Sequence, residues 1–70
     1  MPFITIKSIP KDENVKKSIV TKIVKVFEET YGCNAEHVSI SIEECSSATI
    51  QQEIQKNMDK IYILRGNAVK

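Results

Sequence analysis

The stretch HVSISIE, residues 37–43, decides the fold expected for this chain. Its side chains alternate strictly, with Val38, Ile40 and Ile42 on one face and polar residues on the other. Alternation with a period of two predicts a β-strand that is buried on one side only. An apolar element elsewhere in the chain must therefore cover the valine and isoleucine face.

The segment before this strand has the spacing of an amphipathic helix. Asp12 is a suitable N-cap, Glu13 places negative charge at the positive end of the helix dipole, and Gly32 suits the left-handed position that ends a helix. The predicted apolar stripe consists of Val15, Ile19, Val20, Ile23, Val24, Phe27 and Tyr31.

Residues 2–7, PFITIK, predict a second strand with Ile4 and Ile6 on one face. A strand, a long helix and a second strand in that order imply a parallel pair with a right-handed crossover. We therefore expect an α+β fold, in which a β-α-β unit with parallel strands forms two layers.

The C-terminal third predicts a second helix over residues 49–64, in which Thr49 and Gln52 have the spacing of a capping box. The run 61–64, IYIL, could instead form a short strand, and this alternative stays open. Arg65-Gly66-Asn67 would end the element in either case.

The whole chain, residues 1–70, predicts one domain, and a core of this size is marginal without further support. Cys33 and Cys45 read as free thiols, and one histidine with two scattered cysteines offers no metal-ligand spacing. Open strand edges invite pairing with another copy. We expect a homodimer that extends the sheet, rather than a hexamer, because the second face is polar and the C-terminal helix is long.

Composition excludes several classes of protein. A net charge of +1 gives no basic field for nucleic acid, and the lysines near residues 11–25 lie among acidic side chains. No apolar run approaches the roughly 20 residues of a membrane span, and no signal-peptide pattern is present. The expected location is the cytoplasm.

Pro2 carries the clearest chemical signal. Removal of Met1 would expose a secondary amine, and an α-amino group titrates near pH 7.7–8.0, closer to neutrality than any lysine. An apolar pocket would lower that value further, which suits a general base at neutral pH. Phe3, Ile4 and Ile9 are candidates for the apolar walls of such a pocket.

The opening MPFITIK, the helix from Asp12 and the strand VSISIEE together resemble the 4-oxalocrotonate tautomerase family over about the first 45 residues. The ending IQKNMDKIY is similar to the longer PptA-like dimeric subgroup. The resemblance implies a cofactor-free isomerase, in which the Pro2 amine moves a proton within a small enol or 2-oxo acid.

The same resemblance suggests which residues bind substrate. Lys11 and Ser39 fall where the family has two arginines that hold carboxylates, and Ile50 falls where it has an aromatic residue. Lysine offers a point charge without the bidentate fork of arginine, and serine cannot neutralise charge. A substrate with a single carboxylate is therefore expected, with Phe3, Ile9 and Ile50 lining the pocket.

Two alternatives stay open. The same amine could act as a nucleophile or support hydratase or dehalogenase chemistry on an unsaturated halo-acid. The chain could also be a diverged, non-catalytic binding or assembly module, because the second cation and the aromatic residue are missing. His37 and Cys45 are weaker candidates for functional residues, because we expect His37 to be a solvated surface residue and Cys45 to serve in packing.

Overall fold

The computed structural model describes residues 1–70 and contains one parallel sheet, two α-helices and a small hairpin. The elements in order are β1 (Phe3–Ser8), α1 (Glu13–Tyr31), a 3₁₀ turn (Ala35–His37), β2 (Ser39–Glu44), α2 (Ser47–Lys56), a second 3₁₀ turn (Met58–Lys60), β3 (Ile63–Leu64) and β4 (Asn67–Ala68). The strands β1 and β2 pair in parallel, and α1 connects them. The predicted β-α-β unit and α+β class are therefore confirmed.

The ends of α1 follow the signals in the sequence. The Asp12 carboxylate accepts a hydrogen bond from the Val15 N–H at 2.9 Å, as an N-cap does. Gly32 ends the helix at a φ of 70°, in the left-handed region that glycine occupies without a steric penalty. Both predictions for this helix are confirmed.

The strand register runs from Phe3 opposite Ser39 to Ser8 opposite Glu44. Successive side chains in a strand point to opposite faces, so four isoleucines share one face of the sheet. All four are half-buried: Ile4, Ile6, Ile40 and Ile42. Val20 of α1 lies beside Ile40 and Ile42, which identifies this face as the one that α1 covers.

The apolar stripe of α1 is narrower than predicted. Val20, Ile23, Val24 and Phe27 are half-buried, whereas Val15, Ile19 and Tyr31 remain exposed. Two strands lie only about 4.8 Å apart, so a two-stranded sheet is too narrow to cover a broad helix face. The outer part of the stripe therefore faces away from the chain's own core.

The second strand begins at Ser39, so the prediction that His37 opens it was wrong. His37 closes the first 3₁₀ turn, and the Val38 N–H donates to the Ala35 carbonyl at 3.0 Å. The ladder starts where the Ser39 N–H donates to the Pro2 carbonyl at 3.1 Å. Proline has no N–H to continue that ladder, which explains why the pairing stops there.

The second helix is shorter than predicted and its cap lies elsewhere. Ser46, and not Thr49, is the N-cap, and its hydroxyl accepts the Thr49 N–H at 3.2 Å. The helix ends at Lys56 because the Asn57 side chain and backbone both donate to the Glu53 carbonyl, at 2.8 and 3.2 Å. A side-chain amide that competes for a helix carbonyl favours a helix end.

A hairpin follows, so the alternative of a short strand within residues 61–64 is the correct one. Arg65 and Gly66 have φ values of 50° and 83°, and they connect β3 to β4. Two consecutive residues with positive φ are typical of the type I′ turn, which suits a two-residue hairpin. The Val69 N–H donates to the Tyr62 carbonyl at 2.8 Å and extends the pairing.

No residue of the single chain is fully buried, and its accessible surface is 5532 Å². A folded monomer of this mass is expected to expose about 4,400 Å². The single chain therefore exposes about 1,100 Å² more than a compact protein of its size. Neither helix has the length and the apolar composition that crossing a bilayer requires.

Candidate functional site

Three of the predicted site residues meet at the amino end of the sheet. Pro2 is half-buried, its carbonyl accepts the Ser39 N–H, and Ser39 lies opposite Phe3 in the register. Met1 is 96% exposed, so the peptide bond before Pro2 is accessible. Parallel pairing alone brings these residues together, because it aligns the amino ends of both strands.

The single chain does not enclose Pro2 in an apolar hollow. Phe3 is 69% exposed, and Ser39 is exposed as well. His37 lies close to this end in its 3₁₀ turn, where it is exposed and 4.0 Å from the Glu36 carboxylate. Any wall that shields the Pro2 nitrogen from water must come from outside the chain described here.

Ile9 and Lys11 lie at the other end of the sheet. Both follow Ser8, the last residue of β1, whereas Pro2 precedes the first. A six-residue strand is about 20 Å long at about 3.3 Å per residue. One copy of the chain therefore cannot bring its own Lys11 to its own Pro2.

The backbone of Lys11 is fixed by a hydrogen bond, whereas its side chain has no partner. The Lys11 N–H donates to Glu44 Oε2 at 2.9 Å, and the other oxygen of Glu44 lies 3.4 Å from Lys16 Nζ. The hydrogen bond from Lys11, followed by the Lys16 charge, holds the pKa of the Glu44 carboxyl below its usual range. The ammonium of Lys11 forms no ion pair and is exposed.

Ile50 lies near neither end. It belongs to α2 and lines an open cleft of about 450 Å³ between that helix and the polar face of the sheet. The other lining residues are Thr5, Lys7, Glu53, Ile54, Asn57 and Ile61. Ile50 is therefore placed beside the middle of β1, and the expected grouping with Pro2 is not formed within one chain.

An ion pair ties α2 to the sheet across this cleft. Lys7 Nζ lies 3.1 Å from Glu53 Oε2 and 3.7 Å from Glu43 Oε2. The bond to Glu53 is the main reason why the pKa of Lys7 is raised, and it lowers the pKa of Glu53 in turn. Both groups stay charged at neutral pH, so this pair is an anchor rather than a proton-transfer site.

The sequence analysis did not identify the roles of Glu44 and Lys7. For Glu44, however, the sequence contained the information needed to predict its position. In a parallel pair the carboxyl ends of both strands meet at one edge, so an acid at the end of β2 must lie beside the residues that follow β1. Lys7 gave no such signal, because its partner Glu53 lies on a helix whose placement depends on tertiary packing. The structure gathers no set of histidine, cysteine or acidic side chains suited to a metal ion.

No protein-family model matches this chain, and no curated protein matches it in sequence. The resemblance to the tautomerase family thus remains a prediction based on the residues quoted for it. What the structure adds is the placement of Pro2 beside Ser39 and of Lys11 at the opposite end.

Proposed function

We propose that this chain is a cofactor-free tautomerase of small enols and 2-oxo acids. The mature Pro2 nitrogen takes the proton from the enol hydroxyl, and the electron pair of that bond forms the carbonyl. The double-bond electrons then take a proton at carbon from the protonated proline, which returns to its neutral form. This cycle needs no cofactor and conserves every proton.

The observation that carries the proposal is the parallel register, which anchors Pro2 through its carbonyl at the amino end of the sheet. This bond leaves the ring nitrogen free of the ladder. With Met1 exposed, its removal would release an oriented secondary amine. The fixed φ of proline limits the motion of that nitrogen.

We further propose that the working unit is a homodimer, because the site is incomplete in one copy. If the open edge of β1 pairs with the same edge of a second copy about a two-fold axis, the two β1 strands run antiparallel. Pro2 of one copy then lies beside the end of β1 in the other, which carries Ile9 and Lys11. The excess of about 1,100 Å² of surface is comparable with the ~800 Å² that each partner buries in a typical interface.

In this arrangement each residue has a definite role. Lys11 of the second copy holds the single carboxylate of the substrate as a point charge, and Ser39 donates one hydrogen bond. Phe3 and the second copy's Ile9 form the apolar walls that one chain lacks. The position of Ile50 along β1 suits the distal, non-carboxylate end of a larger substrate.

The first experiment measures intact mass and turnover of phenylenolpyruvate on untagged protein. We expect loss of Met1 and Pro2-dependent ketonisation, with Pro2→Ala lowering kcat/KM at least 100-fold, the lower end of what a general base contributes. Val69→Ala is the control, because it truncates an exposed side chain near the C-terminus, outside the residues proposed for the site, and should retain activity. Retention of Met1 on the native protein, or full activity of Pro2→Ala, would contradict the proposal.

The second experiment tests whether two copies share a site. Pro2→Ala and Lys11→Ala are each purified, shown to be nearly inactive, and mixed after unfolding and refolding. A mixed dimer has one intact site out of two, and half of the dimers are mixed, so about a quarter of wild-type activity should return. A site built within one chain would give no recovery.

The alternative of a non-catalytic binding or assembly module is favoured by one observation, the exposure of Phe3 and Ser39 around Pro2. It predicts no turnover of phenylenolpyruvate or of 2-hydroxydienoates above the solvent rate in any variant. Hydratase or dehalogenase chemistry would appear as water addition to an unsaturated halo-acid in the same assay series.

We also propose a cytoplasmic location, which the free thiols of Cys33 and Cys45 favour because reducing compartments keep thiols unpaired. Cell fractionation checks this, and recovery of the protein outside the cytoplasm would contradict it.

A further inference from the structure

The loop that carries Lys11, residues 9–12, is fixed from both sides by the end of β2 and the start of α1. The Cys45 N–H donates to the Ser8 carbonyl at 2.9 Å, just before the loop. At its last residue, the Asp12 side chain caps α1, and the Asp12 carbonyl accepts the Lys16 N–H at 3.2 Å. Within the loop, the Ile9 carbonyl accepts the hydroxyl of its neighbour Ser8 at 3.0 Å, and the Lys11 N–H donates to Glu44 Oε2 of β2 at 2.9 Å.

Glu44 is bound at both oxygens. Oε2 accepts the backbone of Lys11, and Oε1 lies 3.4 Å from Lys16, whose ammonium also lies 3.0 Å from Glu13 Oε1. The carboxylate that could most easily capture the Lys11 ammonium is therefore already satisfied. The backbone of Lys11 is tethered while its charge remains available.

On the premise that Lys11 holds a substrate carboxylate, as proposed, we infer that Glu44 is the positioning residue for Lys11. It orders the loop through the backbone N–H and keeps the ammonium free, and it does not touch the substrate. Placement of a binding charge controls affinity more than the proton-transfer step itself, so the loss should appear mainly in KM.

The first part of the test uses no substrate and measures exchange of the Lys11 amide proton by NMR. In Glu44→Ala that amide loses its acceptor, and we expect exchange to become at least about tenfold faster. Glu44→Gln keeps a carbonyl oxygen at the same place, so exchange should stay within about threefold of wild type. Glu43→Ala removes the neighbouring carboxylate, which contacts Lys7 instead, and should leave the Lys11 amide unchanged.

The second part measures the dissociation constant of 3-phenylpropanoate, an unreactive monocarboxylate, and the kinetics with phenylenolpyruvate. Glu44→Ala should raise both Kd and KM about tenfold with kcat within about twofold, whereas Glu44→Gln should restore both. Glu43→Ala should match wild type, because it leaves Glu44 and its bond to the Lys11 backbone unchanged.

Different results would contradict the role of Glu44 and the proposed tautomerase function. Unchanged Lys11 exchange in Glu44→Ala, equal Kd values for Glu44→Ala and Glu43→Ala, or no binding of 3-phenylpropanoate to wild type would each overturn the role of Glu44. Absence of Pro2-dependent turnover would overturn the tautomerase function, while exchange and Kd would still judge Glu44.

Discussion

The β-α-β unit, residues 3–44, and the C-terminal segment, residues 46–70, are built in different ways. In the unit, two six-residue strands pair along their full length, and a capped 19-residue helix covers them. The C-terminal segment has a 10-residue helix and two-residue strands, and the Lys7–Glu53 ion pair ties it to the sheet. The fold of the β-α-β unit follows from the spacing of its apolar residues. The fold of the C-terminal segment depends instead on its turn residues and on its few contacts with the sheet.

The exposed apolar residues of the segment support this distinction. Tyr62 is 68% exposed and Ile63 is 60% exposed, on a hairpin that would be marginal in water by itself. The comparison thus predicts that changes in the unit affect global stability, while equivalent changes in the segment act locally.

The largest expected effect comes from matched isoleucine truncations. Ile42→Ala removes a half-buried side chain beneath α1 and should lower the free energy of unfolding by about 2 kcal/mol. Ile63→Ala, in the hairpin, should cost less than about 0.5 kcal/mol under conditions where the chain is monomeric. Urea denaturation measures both, and equal costs would remove the distinction between the two regions.

The two glycines with positive φ give the next test. No heavy atom lies within 4 Å of a Cβ built at Gly32 or Gly66, so Gly→Ala adds only backbone strain, about 1–2 kcal/mol. Gly32→Ala should lower amide protection throughout residues 3–44. Gly66→Ala should open only residues 62–69, and spread of its effect into the sheet would show that the hairpin belongs to the main cooperative unit.

Loss of a helix cap should cost about 1 kcal/mol, and again the two regions should differ. Asp12→Ala removes the cap of α1 and should shift the global unfolding midpoint. Ser46→Ala removes the cap of α2 and should raise exchange only within that helix. Asp12→Asn, which keeps a capping oxygen, is the control and should remain close to wild type.

The smallest expected effect concerns the ion pair that anchors α2. Because the bond to Lys7 lowers the pKa of Glu53, its stabilising contribution is present above the ordinary carboxyl value of 4.5 and is lost as the pH falls through the lowered pKa. Between pH 7 and pH 3, the protection factors of the α2 amides, which compare each exchange rate with the intrinsic rate at the same pH, should therefore fall in wild type. Glu53→Gln should show that lower protection already at pH 7.

Glu43 also faces Lys7, and Lys56 and Asn57 also contribute to the lowered pKa of Glu53, so the control must separate these groups. Glu43→Gln should retain the pH response of α2. If it abolishes the response instead, Glu43 is the anchoring acid.

The sequence predicted the structure best where the role of a residue depends only on its neighbours in the sequence. Asp12 caps the helix that begins beside it, and the alternation around Ile40 produces a strand whichever partner it finds. The C-terminal helix was predicted too long because Ile61 and Tyr62 continue its apolar spacing. Only the competing bonds of Asn57 to Glu53 end it at Lys56, and spacing does not reveal them.

For the candidate site, strand direction was the decisive information. Parallel pairing predicts that Pro2 and Ser39 meet, and the length of β1 equally predicts that Lys11 lies too far away. The position of Ile50 could not be derived, because α2 contacts the sheet through a few side chains whose pairing has no periodic pattern.

The bond from Ser39 to the Pro2 carbonyl has a practical consequence for anyone who prepares this protein. The sheet holds Pro2 through its carbonyl oxygen, so this contact can form whether or not the nitrogen of Pro2 carries a preceding residue. A purification tag fused at the front would leave the spectra and the melting curve of a well-folded protein unchanged. It would also keep the Pro2 nitrogen in an amide, so on the proposed function such a preparation should show no Pro2-dependent proton transfer.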